Sequence, residues 1–207
     1  MALSYLALGD SYTIGEGVQP SGRWPSQLAA GLRDIGIAVD DPQIIATTGW
    51  TTDELDAGID AAAPQGPFDL VTLLIGVNDQ YRGRSVDDYR PRFTALLQRA
   101  LGFAGGRASR VLVLSIPDWG VTAYGIASGR DRAQIGHALD AYNAAAAAIC
   151  AEHDVAFIDI TEVSRELGGE APMLVEDGLH PSATMYTLWN QRVFPVARVQ
   201  LADEVAR

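Results

Sequence analysis

Two hydrophobic patterns alternate along the chain. Mostly apolar runs at residues 3–8, 68–75, 111–116 and 155–160, with a weaker one at 43–46, read as strands, and 68–75 is the clearest of them. Runs without polar alternation mark strands buried on both faces, as in parallel sheets. Between them, apolar residues recur at helical spacing. Pro25 suits the first turn of a helix carrying Leu28, Leu32 and Ile35. Thr52 is placed to cap a helix with Leu55 and Ile59 that ends before Pro64. Ser85 and Asp88 form a capping box opening a helix with Tyr89, Phe93, Leu96 and Leu97 on one face. Residues 131–153 read as a long Ala-rich helix. A last helix from Ser182 is expected to break or kink near Pro195. Residues 12–22 and 170–181 read as loops.

Strand and helix alternate throughout, with no linker, repeat or low-complexity block. That order predicts one α/β domain over residues 1–207, with a central parallel sheet of about five strands covered by helices on both faces. In such folds ligands bind at the carboxyl ends of the strands, so the residues just after each strand carry the functional question.

Composition narrows the classes. The 207 residues suit one domain with a sizeable core. The net charge of −11 disfavours a nucleic-acid partner and adsorption to anionic membranes. All cationic side chains are Arg, so Walker, Schiff-base and general-base lysines are excluded. The one cysteine, Cys150, excludes an intrachain disulfide and a thiolate zinc cluster, and its Ala-rich helical setting predicts a buried, inert thiol. No basic, apolar leader opens the chain and no stretch approaches a transmembrane length, so a cytoplasmic location without membrane insertion is expected.

The strand ends hold a coherent set of groups. Gly9-Asp10-Ser11 follows the first strand, Thr47-Thr48-Gly49-Trp50 the second, and Gly76-Val77-Asn78-Asp79 the third. Asp177-Gly178-Leu179-His180 comes one loop after the last. Together they offer a hydroxyl, a small backbone donor, a carboxamide and a carboxylate with an imidazole, which is what acyl transfer from an ester requires. A serine hydroxyl needs a base within hydrogen-bond reach, and His180 is the candidate, since His137 and His153 fall in or at the end of a helix. Asp177, three residues earlier, is placed to fix its tautomer. The oxyanion needs fixed donors, for which the N–H groups of Ser11 and Gly49 and the Asn78 amide are the candidates. Gly49 is expected to allow close backbone approach.

These four blocks, in this order and spacing across nearly the whole chain, resemble those of the GDSL, or SGNH, hydrolases. The resemblance implies a flavodoxin-like three-layer α/β/α sandwich and hydrolysis of carboxylic esters or thioesters. It implies Ser11 as nucleophile, His180 as base, Asp177 as its orienter, Gly49 and Asn78 as oxyanion donors, and no cofactor. Tyr12 stands where the family name implies Leu. The Gly-x-Ser-x-Gly elbow of the α/β-hydrolases is absent.

Other residues receive secondary readings. Trp50 and Trp119 are candidates to line the substrate pocket. Asp10 and Asp79 read as structural, bonding the turns that carry Ser11 and Asn78. Asp53, Glu54, Asp56, Asp87 and Asp88 sit in helix first turns, where acids complement the dipole, and no metal is expected. Arg82, Arg84 and Arg130 read as solvated loop arginines. The expected partner is a small acyl ester, with short chains the default. Transfer to a sugar hydroxyl, a lysophospholipid or thioester substrate, and a flavodoxin-like binding module with degenerate chemistry stay open. The oligomeric state is not legible.

Overall fold

The first strand, β1 (Tyr5–Gly9), is buried at every position, and so are β3 (Leu70–Leu74) and β4 (Val111–Leu114). They fall within three of the mostly apolar runs of the sequence, and they form the middle of the sheet. In the computed structural model, which describes residues 2–205, β2 (Gln43–Ala46) and β5 (Ala156–Ile158) complete five strands in the order β2-β1-β3-β4-β5, all parallel. The strands are shorter than the apolar runs. Phe68, for example, gives its N–H to the Phe103 carbonyl at 2.7 Å rather than to a neighbouring strand.

The helices in chain order are α1 (Ser11–Ile14), α2 (Trp24–Asp34), α3 (Thr52–Ala62), α4 (Val77–Tyr81), α5 (Val86–Phe103), α6 (Ala123–Ala127), α7 (Arg132–Glu152), α8 (Thr161–Leu167) and α9 (Ala183–Val205). α2 packs on α9 and α9 on α8, while α3 packs on α5 and α5 on α7. The two groups are the layers on either side of the sheet. Buried residues from both layers and the sheet form one cluster, with Trp24, Tyr89, Tyr142 and Trp189 among its largest members. Cys150 lies fully buried on α7, and burial pushes its thiol up to about 12. Among the described residues, no helix is long and apolar enough to cross a membrane.

Several local expectations are corrected. Residues 12–22 are not all loop, because Ser11–Ile14 is a short helix whose N-terminus the Asp10 carboxylate caps. The cap of α3 is Thr51, whose N–H donates to the Glu54 carboxylate at 2.9 Å. The Thr52 hydroxyl instead donates to Asp79 at 2.8 Å. α9 is not broken at Pro195 but runs on past it. One missing N–H is tolerated there because Tyr186, Trp189 and Val193 before it and Ala197 and Leu201 after it are all buried.

Register positions the site. Gly9 pairs with Ala46 on one side and Leu74 on the other, so the carboxyl ends of β2, β1 and β3 are level. β1 is followed in sequence by a strand on one side of it, and β3 leads to strands on the other. That reversal opens a crevice beyond the strand ends.

Candidate active site

The chain leaves β1 through Gly9, where a side chain cannot fit: a Cβ would lie 2.2 Å from the Thr13 hydroxyl and 2.5 Å from the Leu74 carbonyl. The tight exit places Ser11 at the first position of α1, with Asp10 accepting from the Tyr12 N–H at 3.0 Å. Ser11 is 4% exposed. Its N–H has no acceptor among the described residues, as expected for a first-turn donor. Asp10 is fully buried, and its second carboxylate oxygen has no partner among the described residues. Burial, opposed by the Tyr12 hydrogen bond and reinforced by the nearby Asp79 charge, pushes its carboxyl up to about 8.

Past β2 the chain makes a four-residue turn, closed by the Trp50 N–H on the Thr47 carbonyl at 3.2 Å. Gly49 occupies its third position at φ 87°, the value that type II turns demand and that only glycine adopts cheaply. The reason for glycine differs from the close approach expected, because nothing lies within 4 Å of where its Cβ would be. The Gly49 N–H is unbonded among the described residues.

Past β3, Asn78 is the second residue of α4. Its amide donates to the Trp50 carbonyl at 2.9 Å, which orients the group and leaves its second hydrogen free. Asp79 is fully buried and accepts from the Thr52 N–H and hydroxyl and from Arg84, all within 2.9 Å. It ties α4 to the start of α3, consistent with its structural reading.

The last segment lies between α8 and α9. Asp177 accepts backbone hydrogen bonds from Leu179 at 2.8 Å and His180 at 2.9 Å. Its other oxygen meets His180 Nδ1 at 2.6 Å. Partial burial raises the Asp177 pKa, but these hydrogen bonds and the His180 ring outweigh it and hold the carboxyl below its ordinary value. The Tyr124 N–H on α6 donates to the Gly178 carbonyl at 2.9 Å, and the Tyr12 ring meets the His180 ring edge-on with centroids 6.0 Å apart.

These segments meet at one cavity of about 250 Å³. Ser11, Gly49, Asn78 and His180 line it, joined by Tyr12, Thr48, Val77, Tyr81, Trp119, Tyr124 and Leu179. Asp177 stands behind the imidazole. No hydrogen bond joins the Ser11 hydroxyl to His180 among the described residues; such contacts are often long without substrate. Trp119 lines the cavity, its ring nitrogen donating to Gln80 at 2.9 Å. Trp50 is not among the lining residues. Its ring lies against Gly58 on α3, and only its carbonyl serves the site.

The three loop arginines are not merely solvated. Arg82 pairs with Glu54 at 3.1 Å and donates to the Gly49 carbonyl at 2.8 Å. Arg84 pairs with Asp53 and Asp79. Arg130 stacks 4.1 Å over the Tyr81 ring. The aromatic wall of Tyr81, Trp119 and Tyr124, with the Tyr81 and Tyr124 hydroxyls 2.7 Å apart, escaped the sequence reading except for Trp119. Its only signal was position, since both segments follow strands of the sheet. Among the described residues, no cluster of His, Cys, Asp or Glu is arranged to hold a metal ion.

Comparison with known proteins bears on the family and the fold of the chain. A family model described as GDSL-like Lipase/Acylhydrolase matches residues 7–188. The crystal structure of TesA aligns with a TM-score of 0.74 at 21% identity, covering 95% of this chain and 99% of that one. The psychrotrophic esterase EstA from Pseudoalteromonas sp. aligns with a TM-score of 0.72 at 18% identity, covering 96% and 98%. An extracellular lipase from Streptomyces rimosus aligns with a TM-score of 0.64 at 26% identity, covering 96% and 100%. No curated protein sequence matches the chain.

Proposed function

Because this chain belongs to the GDSL-like lipase/acylhydrolase family and is a carboxylic ester hydrolase, we propose that Ser11, His180 and Asp177 carry out the hydrolysis as a nucleophile–base–orienter triad. The observation that carries the reading is the Asp177–His180 contact of 2.6 Å beside a cavity that Ser11 and His180 both line. With Nδ1 engaged by Asp177, the Nε2 atom of the neutral ring is the acceptor. It takes the Ser11 proton as Oγ attacks the ester carbonyl. Three donors without another acceptor among the described residues belong to residues that line the cavity: the Ser11 N–H, the Gly49 N–H and the second Asn78 amide hydrogen. They receive the negative charge of the tetrahedral intermediate. On its collapse, the alcohol leaves with the proton from His180. Water then gives a proton to the same imidazole, attacks the acyl-enzyme and releases the acid, and Ser11 recovers its proton.

The cavity, at about 250 Å³, falls below the roughly 300–1,000 Å³ usual for small-molecule sites. That favours short acyl chains. The test is a p-nitrophenyl ester series from acetate to palmitate, run on wild type and Ser11→Ala. The expected result is a short-chain optimum and loss of several orders of magnitude in Ser11→Ala and in His180→Ala. Folded Ser11→Ala protein that hydrolyses esters at the wild-type rate would refute the triad.

A further inference from the structure

The three candidate oxyanion donors come from three strand ends. In the middle one Trp50 is anchored, its ring on Gly58 and its carbonyl on the Asn78 amide, while Thr48 and Gly49 before it are little packed. The turn bearing Gly49 is partly exposed, with no atom within 4 Å of the glycine's open side. Neither the Thr48 carbonyl nor the Gly49 N–H is hydrogen-bonded among the described residues. The turn is instead tethered to both neighbouring segments by charged side chains. On one side, the Thr48 hydroxyl donates to the Glu16 carboxylate. Glu16 belongs to the nucleophile segment, since its N–H donates to the Ser11 carbonyl at 3.1 Å. On the other side, Arg82 donates to the Gly49 carbonyl at 2.8 Å. Arg82 belongs to the Asn78 segment, its N–H donating to the Asn78 carbonyl at 3.0 Å. Glu54, which caps α3 through the Thr51 N–H, holds the same guanidinium.

We propose that Arg82 and Glu16 are positioning residues that set the spacing between the Gly49 N–H and the donors of Ser11 and Asn78. The inference rests on the oxyanion reading above and adds to it two residues that touch no reacting atom. An oxyanion hole works only if its donors sit at hydrogen-bond distance from one point, and a misplacement of about 1 Å can cost roughly 10²-fold in rate. A tether from each flank is what the partly exposed Thr48–Gly49 part of the turn needs to meet that tolerance. The pair also explains why one segment carries acid and the other base. Each reaches the polar group of the turn that it can bond: a carboxylate accepts from a hydroxyl, and a guanidinium donates to a carbonyl.

The test is steady-state hydrolysis of p-nitrophenyl acetate by purified wild type, Arg82→Met, Arg82→Lys, Glu16→Ala and Glu16→Gln, with Tm measured on each. Arg82→Met and Glu16→Ala are expected to lower kcat by about 10-fold or more with KM within about twofold, the pattern of an interaction lost in the transition state. The rate of inactivation by a p-nitrophenyl phosphonate, whose oxygens occupy the same hole, is expected to fall in parallel. Arg82→Lys and Glu16→Gln, which can still donate to Gly49 and accept from Thr48, are expected to recover most of the loss. A merely structural role would lower Tm and the active fraction while leaving kcat per active site unchanged, and that result overturns the proposal. If Arg82→Met does not fold, the Glu16 pair decides it on the same criteria. Absence of Ser11-dependent hydrolysis in wild type would overturn the triad and this proposal together. Normal kcat in Arg82→Met and Glu16→Ala beside a Ser11-dependent wild type overturns this one alone.

Discussion

Asp10 shows how closely the neighbour of Ser11 is constrained. One of its oxygens caps α1, and the other is buried without a partner among the described residues. With its carboxyl pushed from 3.8 to about 8, the folded protein binds a proton there that the unfolded chain has lost. Stability from this group is full below pH 3.8 and falls as pH rises to about 8. Asp10→Asn keeps the capping oxygen and cannot ionise. It is expected to raise Tm more at pH 8 than at pH 5, which thermal melts at the two pH values will check. Asn78 belongs to the same scale. Under the proposed mechanism Asn78→Ala removes one oxyanion donor, and it is expected to cost about 10²–10³-fold in kcat. An unchanged kcat would remove Asn78 from the hole.

At the scale of elements, the long helices lie where periodicity placed them, apart from the cap of α3 and the passage of α9 through Pro195, while the short ones left no signal. α5 begins where the Ser85 capping box places it, with the Ser85 hydroxyl accepting from the Asp88 N–H at 3.1 Å. α7 begins at Asp131, whose carboxylate accepts from Ala133 at 2.9 Å and Gln134 at 3.2 Å. Asp131→Ala is expected to destabilise the protein by about 1 kcal/mol, the usual cost of losing such a cap, and urea denaturation will measure it. α1, α4 and α6 span four or five residues, too few for an amphipathic period to register. Yet α1 and α4 carry Ser11 and Asn78. They form because strand ends and buried partners hold them, Asp79 under α4 being the clearest case.

Over the whole molecule, the sheet is the rigid base against which the loops are set. β1 and β3, adjacent and fully buried, deliver Ser11 and Asn78 from neighbouring strand ends. Leu73, fully buried in β3, is a test of that base. Leu73→Ala is expected to cost about 3–5 kcal/mol by the loss of buried methyl groups and the cavity left behind, visible as a lower denaturation midpoint.

The sequence by itself determined the parallel α/β architecture, because mostly apolar runs alternating with helical periods bury both faces of their strands most simply between two helical layers. It also located the four segments that line the crevice, since strand ends in such a sheet share one edge. What it left open depends on contacts between residues far apart in the chain. Arg82 meets the Gly49 carbonyl across 33 positions, and Tyr81 meets Tyr124 across 43. Trp50, which the strand-end argument pointed into the pocket, turns its ring onto Gly58 because that glycine leaves room for it. Periodicity and capping are local signals that record which face of an element is buried. The direction of a side chain in a loop is set by the neighbours that folding brings to it, so the tertiary structure alone decided which arginines hold the turn and which rings wall the cavity.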